Sequence, residues 1–188
     1  MDIDYNDHSN YPFIAILEAN AERIAAEGLA LSEGDFLPMP DEEHSQHGGS
    51  WVVCPLSLGD DEEDFPADIL AKNRASCPET FKVLSEIEGL VVGGFVMLKA
   101  GGQVLENVDT RDDDVIRAQL ALRLPEHDQE EWSEGRVRLR DARLPYGTRN
   151  TGSVPRLTLL CDVRAGFDVP DGVITPWTVT AEASVGEE

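Results

Sequence analysis

The stretch that decides the fold is GGFVMLKAGGQVLENVDTRDDDVIRAQLALRLP, residues 93–125. It reads as two strands around a turn rich in glycine and acid. From 115 to 124 the residues alternate. Ile116, Ala118, Leu120, Leu122 and Leu124 fall on one side, with Arg117, Gln119 and Arg123 on the other. That period of two marks a strand with one apolar and one polar face. The layout is that of a metal-site hairpin in a jelly roll, yet the turn Gln103–Asp109 contains no histidine.

Outward from this hairpin the chain changes character. Upstream, Phe13, Ile16, Leu17, Ala21 and Ile24 follow helical spacing and predict a helix from Pro12 to about Leu31, with Asn10 as its cap and Gly28 weakening its end. Residues 32–50 and the acidic run Gly59–Pro66 carry loop chemistry, and Trp51–Leu56 reads as a short strand. Cys77-Pro78-Glu79-Thr80 starts a second helix with proline in its first turn, and Gly89 stops it. Downstream, Arg136–Arg140 alternates and Arg156–Val163 forms a further strand. Helices first and hairpins after predict an α+β domain with a jelly-roll or barrel core. Residues 1–10 are read as a flexible N-terminus, 11–167 as one domain and 168–188 as an acidic tail.

The chain has 188 residues, 37 acidic against 15 basic, for a net charge of −22. That field opposes binding to nucleic acid and to anionic membranes. No apolar stretch reaches transmembrane length. Cys54, Cys77 and Cys161 are odd in number and widely spaced, which favours reduced thiols and a cytoplasmic location. Ten of the fifteen basic residues, all arginine, lie between Arg111 and Arg164. In so acidic a protein this concentration either offsets neighbouring acids or shapes a local anion site.

The order of motifs resembles the aspartyl/asparaginyl β-hydroxylase family, a cupin-like branch of the Fe(II)/2-oxoglutarate dioxygenases. The resemblance spans about residues 11–165. It runs through Trp51…Pro55-Leu56, Asn73–Thr80, Gly89-Leu90-Val91 and Phe95…Gly101, then Arg117–Leu122, Trp132–Arg136, Asp141…Asn150 and Pro155–Val163. It implies a double-stranded β-helix core with N-terminal flanking helices. It also implies two iron-binding histidines, at the positions occupied here by Asn107 and Tyr146. A third histidine that assists the co-substrate is replaced by Gln119. The 2-oxoglutarate-binding arginine is retained as Arg156.

An asparagine amide is a poor substitute for imidazole toward Fe(II). Tyrosine binds ferric iron only as phenolate, and its pKa near ~10 must first fall. Glu106, Asp109 and Asp112 would offer a hard oxygen site suited to Mg²⁺ or Mn²⁺ instead. His44 and His47 have ligand-like spacing in a glycine-rich loop without a third partner, and His8 and His127 fall in polar segments read as exposed. The sequence therefore predicts no metal site and no cofactor; Fe(II) and 2-oxoglutarate belong to an alternative with substitute ligands.

The predicted site binds a carboxylate through Arg156, with Arg117, Gln119, Arg123, Asn107 and Trp51 completing the pocket. Tyr146 is the candidate general acid or base, favoured as phenolate by Arg156, with Glu106, Asp109 or Cys54 as a second group. Proton transfer next to a carbonyl, in epimerisation, isomerisation or elimination, fits such a pair. The expected partner is a small amino-acid or peptide substrate. A non-catalytic carboxylate- or peptide-binding module is the other reading.

Overall fold

The computed structural model describes residues 11–39, 50–107, 115–141 and 145–164. The predicted N-terminus and tail, the cap Asn10, His8, His44, His47, Asp109 and Asp112 lie outside the described residues. Eight strands occur among the described residues: β1 (Leu37–Pro38), β2 (Trp51–Ser57), β3 (Leu90–Leu98), β4 (Gln103–Asn107), β5 (Val115–Arg123), β6 (Val137–Asp141), β7 (Tyr146–Arg149) and β8 (Arg156–Arg164). Six form an antiparallel sheet in the order β1-β2-β3-β8-β5-β6, and β4 pairs with β7 in a second sheet of two strands. This is the α+β double-stranded β-helix expected from the sequence.

The alternation read in β5 sorts the two faces of the large sheet. Ala118, Leu120, Leu159, Cys161 and Phe95 are wholly buried on the face that meets the helices. The opposite face carries rows of cross-strand partners: Arg140, Arg117 and Asp162 in one, Arg138, Gln119 and Leu160 in the next. The apolar face is thus a core, and the polar face is left to build a site.

The first helix predicted by the sequence is two. α1 (Pro12–Ala19) and α2 (Ala21–Ala30) break at Asn20, which has φ −105° and ψ 7°. Its side-chain amide donates to the Ile16 carbonyl at 2.9 Å, a local bond that competes with the helical ladder. Ile14, Leu17, Ala21 and Ile24 still point to one core, so the periodicity survives the break.

Gly28 does not weaken the helix end. It lies inside α2, where a Cβ would sit 2.6 Å from Cε1 of the fully buried Phe95 ring. Glycine here is a packing requirement. Alanine would gain about 1 kcal/mol in helix propensity, but overpacking against a ring with no room to move costs about 1–3 kcal/mol. Gly28→Ala is expected to lower the urea midpoint with the m-value unchanged. A midpoint above wild type would show that the ring yields.

Two further helices follow, α3 (Ala67–Ser76) and α4 (Pro78–Ser85). The sequence reading contained no α3, because only Leu70 and Asn73 of its residues are buried and no apolar stripe forms. Polar bonds hold it instead. The Asn73 amide donates to the Pro55 carbonyl at 2.9 Å, and Arg74 Nε to the Leu56 carbonyl at 2.8 Å. Those carbonyls lie at a register shift between Pro55 and Ser57 in the β2–β3 pairing, where the ladder cannot satisfy them. The Gly59–Asp64 segment is a 3₁₀ helix rather than an open loop.

The N-terminus of α4 is capped from a distance. Glu27 of α2 accepts hydrogen bonds from the backbone N–H groups of Glu79 and Thr80 at 2.9 and 2.8 Å, and from the Thr80 hydroxyl at 2.6 Å. A carboxylate at this helix end satisfies orphan donors and meets the positive end of the dipole. α4 ends at Ser85, with Glu86 as its cap, and the predicted stop Gly89 instead takes φ 76° in the turn that leads into β3.

Candidate functional site

A cavity of about 280 Å³ opens between the two sheets. β5 supplies Gln119, β6 supplies Arg138 and Arg140, β7 supplies Tyr146, and β8 begins with Arg156. The segment after β5 adds His127, Asp128 and Glu131.

Asn150 holds the frame. This fully buried residue donates from its amide to the carbonyls of Leu98 and Val154, at 3.0 and 2.8 Å. Its backbone exchanges two 2.8 Å bonds with Gly101 and Gly102 in the β3–β4 turn. Gly101 takes φ 76° there. One polar node therefore ties the ends of β3, β7 and β8 at one edge of the cavity.

Arg156 reaches the cavity wall, as the sequence suggests, but its guanidinium is already engaged. Nε and Nη2 donate to the two carboxylate oxygens of Asp128 at 2.6 and 2.9 Å, and Nη1 donates to the Thr148 hydroxyl at 2.7 Å. Both side chains are largely covered, with 11% and 14% of their areas exposed.

Arg117 does not reach the cavity. It shares a face with Gln119, but its Nε and Nη2 donate to Asp162 at 2.7 Å each, an internal pair in which Asp162 is 1% exposed. The expectation that Arg117 binds ligand beside Gln119 is corrected on this ground. Arg123 is exposed at the end of β5, where the alternation slips at a register shift between Ala121 and Arg123. Trp51 is half-buried opposite Leu98 in the β2–β3 pairing, and Glu106 is exposed; neither lines the cavity. Asn107 lies directly opposite Tyr146 in the β4–β7 pairing, while its side chain lies outside the described atoms.

Cys54 is not available as a second proton-transfer group. It is wholly buried in the core, and burial pushes its thiol up to about 12. Cys77, also buried, is likewise raised to about 12, and burial lifts Cys161 further. All three are protonated and chemically quiet at neutral pH.

Tyr146 does lie in the cavity, but its cationic neighbour is Arg140, whose guanidinium carbon sits 4.1 Å from the ring centroid. Arg138 stacks likewise over Trp132 at 4.5 Å, and the indole N–H donates to the Arg136 carbonyl at 2.9 Å. Each guanidinium uses a flat face against an aromatic ring. Burial lowers Arg138 to about 10, which leaves it cationic at neutral pH.

The sequence reading missed Asp128, Glu131, Arg138 and Arg140, while His127 is exposed, as the sequence suggests. His127 lines the cavity with Nε2 3.3 Å from Asp128 Oδ1. The alternation of Arg136–Arg140 was a signal for the two β6 arginines, since it puts Arg138 and Arg140 on one face. Nothing in EHDQEEW marked the turn residues. The concentration of arginine in the second half resolves into a site: four arginines, 138, 140, 149 and 156, line this cavity with two carboxylates. In a chain of charge −22 this is a local reversal of sign.

The aspartyl/asparaginyl β-hydroxylase profile matches residues 18–165, most of the chain. The chain belongs to this family. Among solved structures it is similar to a 2OG-Fe(II) oxygenase family oxidoreductase from Burkholderia pseudomallei, at 12% identity and TM-score 0.50, covering 86% of this chain and 94% of that one. It is also similar to a prolyl hydroxylase from Trichoplax adhaerens in complex with a peptide fragment, at 12% identity and TM-score 0.42, covering 87% and 94%. A Pseudomonas putida prolyl-4-hydroxylase matches at 18% identity and TM-score 0.34, covering 81% and 87%. No curated protein sequence matches the chain.

The described donors of this hydroxylase-family chain do not fit Fe(II). No group of three His, Cys, Asp or Glu placed to hold a metal occurs among the described residues. At the two positions that the resemblance assigns to iron ligands stand Asn107 and Tyr146, partners in the β4–β7 register, and the Tyr146 ring carries the Arg140 guanidinium. A metal cation beside Tyr146 would meet the repulsion of Arg140. Arg156, which the resemblance assigns to 2-oxoglutarate, is held by Asp128. No helix among the described residues is long and apolar enough to cross a membrane.

Proposed function

We propose that this protein binds a carboxylate-bearing amino acid or peptide in the arginine-lined cavity and acts on it by proton transfer, without iron. The observation that carries this reading is the gathering of Arg138 and Arg140 from β6 and Tyr146 from β7 around one cavity, with Arg140 over the Tyr146 ring. The arginines supply charge-assisted hydrogen bonds to a carboxylate. Tyr146, beside a guanidinium, then accepts or returns a proton at the neighbouring carbon, in an epimerisation, isomerisation or elimination. His127, against Asp128, is a second titratable group on the same cavity.

Binding without turnover is the second reading. It is favoured by the positions of Glu106 and Cys54, two of the three sequence-predicted partners of Tyr146, which do not reach the cavity; the third, Asp109, lies outside the described residues.

One set of measurements tests both. Purified protein is analysed for metal and assayed for 2-oxoglutarate turnover, then screened against amino acids and short peptides for ligand-induced thermal shift in D₂O. The expected result is a shift with carboxylate ligands, and deuterium entering the bound ligand next to its carboxylate. Tyr146→Phe is expected to abolish exchange and keep the shift. Binding with no exchange supports the second reading. Fe(II)-dependent succinate release would overturn both.

A further inference from the structure

The contact between Asp128 and Arg156 has the form of a ligand complex made within one chain. Two parallel N–H···O bonds of 2.6 and 2.9 Å join one edge of the guanidinium to both carboxylate oxygens. Nη1 is fixed by Thr148, and Nη2 also reaches the Arg149 carbonyl at 3.3 Å. All of this happens in a cavity wall and not on open surface.

We propose that Asp128 is a resident carboxylate that closes the Arg156 anion site to incoming ligands, and so directs a substrate carboxylate to Arg138 and Arg140. The turn that presents it is built to stay in place. Glu126–Asp128 is a single 3₁₀ turn. The Asp128 carbonyl accepts the Trp132 N–H at 2.9 Å and the Glu131 N–H at 3.2 Å, while Gln129 Nε2 donates back to the Leu124 carbonyl at 3.0 Å. On its other side Gly152 packs so closely that a Cβ would lie 2.5 Å from Pro125 and 3.4 Å from His127 Nδ1.

A carboxylate held this way does not lose translational freedom on pairing. It competes with a free ligand at an effective concentration in the millimolar range or above. A small carboxylate from solution therefore fails to displace it. Arg138 and Arg140 pack by their flat faces on Trp132 and Tyr146, so the same cavity keeps a second cationic wall for a ligand.

The redirection to Arg138 and Arg140 rests on the proposed function, whereas the closing of Arg156 stands on its contact with Asp128 alone. That closing is tested by calorimetric titration of 2-oxoglutarate and of succinate into wild type, Asp128→Ala and Asp128→Asn. Removal of the resident carboxylate is expected to tighten binding of both probes by about tenfold or more, given the competition it removes. The gain should vanish in the double variant Asp128→Ala/Arg156→Met. Asp128→Asn keeps the shape of the side chain, so it carries the test if the alanine variant does not fold; a succinate-dependent rise in its Tm then reads out the opened site. Affinities within about twofold of wild type in the folded variants would overturn the proposal, as would a gain that persists without Arg156. Failure of Arg138 or Arg140 variants to weaken carboxylate binding would overturn the proposed function and the redirection to β6, and leave the closing of Arg156 by Asp128 untouched.

Discussion

Arg117→Ala is expected to destabilise the fold by about 3–5 kcal/mol, the cost of breaking a buried ion pair by removing one partner. Asp162 is 1% exposed on β8, and both its oxygens accept hydrogen bonds from Arg117. Truncation leaves that carboxylate in a sheet interior between β3 and β5. The desolvation of the remaining charge dominates the loss, so little of it should depend on salt. The companion variant Arg117→Met/Asp162→Leu separates the two contributions. Replacing both charges by apolar groups of similar size is often neutral or better, so it should recover most of the stability lost by the single change. Urea denaturation at neutral pH and two ionic strengths checks this. A loss below about 1 kcal/mol would place the pair with weak surface bridges, against its burial.

The largest functional effect is expected at β6. Arg138→Met and Arg140→Met should each weaken binding of a carboxylate ligand roughly ten- to a hundredfold, since a hydrogen bond to a charged group is worth about 1.5–3 kcal/mol. Methionine keeps much of the aliphatic stem and the contact with the aromatic ring, so lost packing is limited. Lysine at either position restores charge without the planar fork and should recover only part of the affinity. Arg23→Met, on the exposed outer surface of α2, removes an equal charge far from the cavity and should change affinity little. The measurement is the dissociation constant of whichever amino acid or peptide gives the strongest thermal shift. Equal losses in Arg23→Met and the β6 variants would reduce the effect to net charge.

The architecture was legible because it is periodic. β5 shows its two faces in every second residue, and β8 and β6 repeat the rule, so the sheet and the polarity of each face follow from side-chain alternation. The start of α4 was legible from proline chemistry at Pro78, whereas its end at Ser85 falls short of the glycine that was read as its stop. α3 escaped because its anchors are Asn73 and Arg74, bonded to carbonyls at a register shift that no local pattern announces. The Asn20 break escaped because the apolar stripe continues across it.

Within the site, sequence placed Arg156, Gln119 and Tyr146 on strands that converge, and the fold brings all three to one cavity. It could not say which partner each arginine takes. Arg117 and Gln119 are two residues apart on one face, yet one is locked to Asp162 and the other lines the cavity. The difference comes from β8, 45 residues away in sequence for the Arg117–Asp162 bond.

The sequence by itself determined that helices precede strands, the faces of the strands, the excess of acid and the gathering of arginine into the second half. Those properties are local or additive, and alternation and composition report them directly. Only the tertiary structure decided that Asp128 engages Arg156, that Arg140 covers Tyr146, and that Gly28 makes room for Phe95. Each depends on a contact between distant segments. A guanidinium pairs with the carboxylate that packing brings within hydrogen-bonding reach, and that distance is a property of the folded sheet.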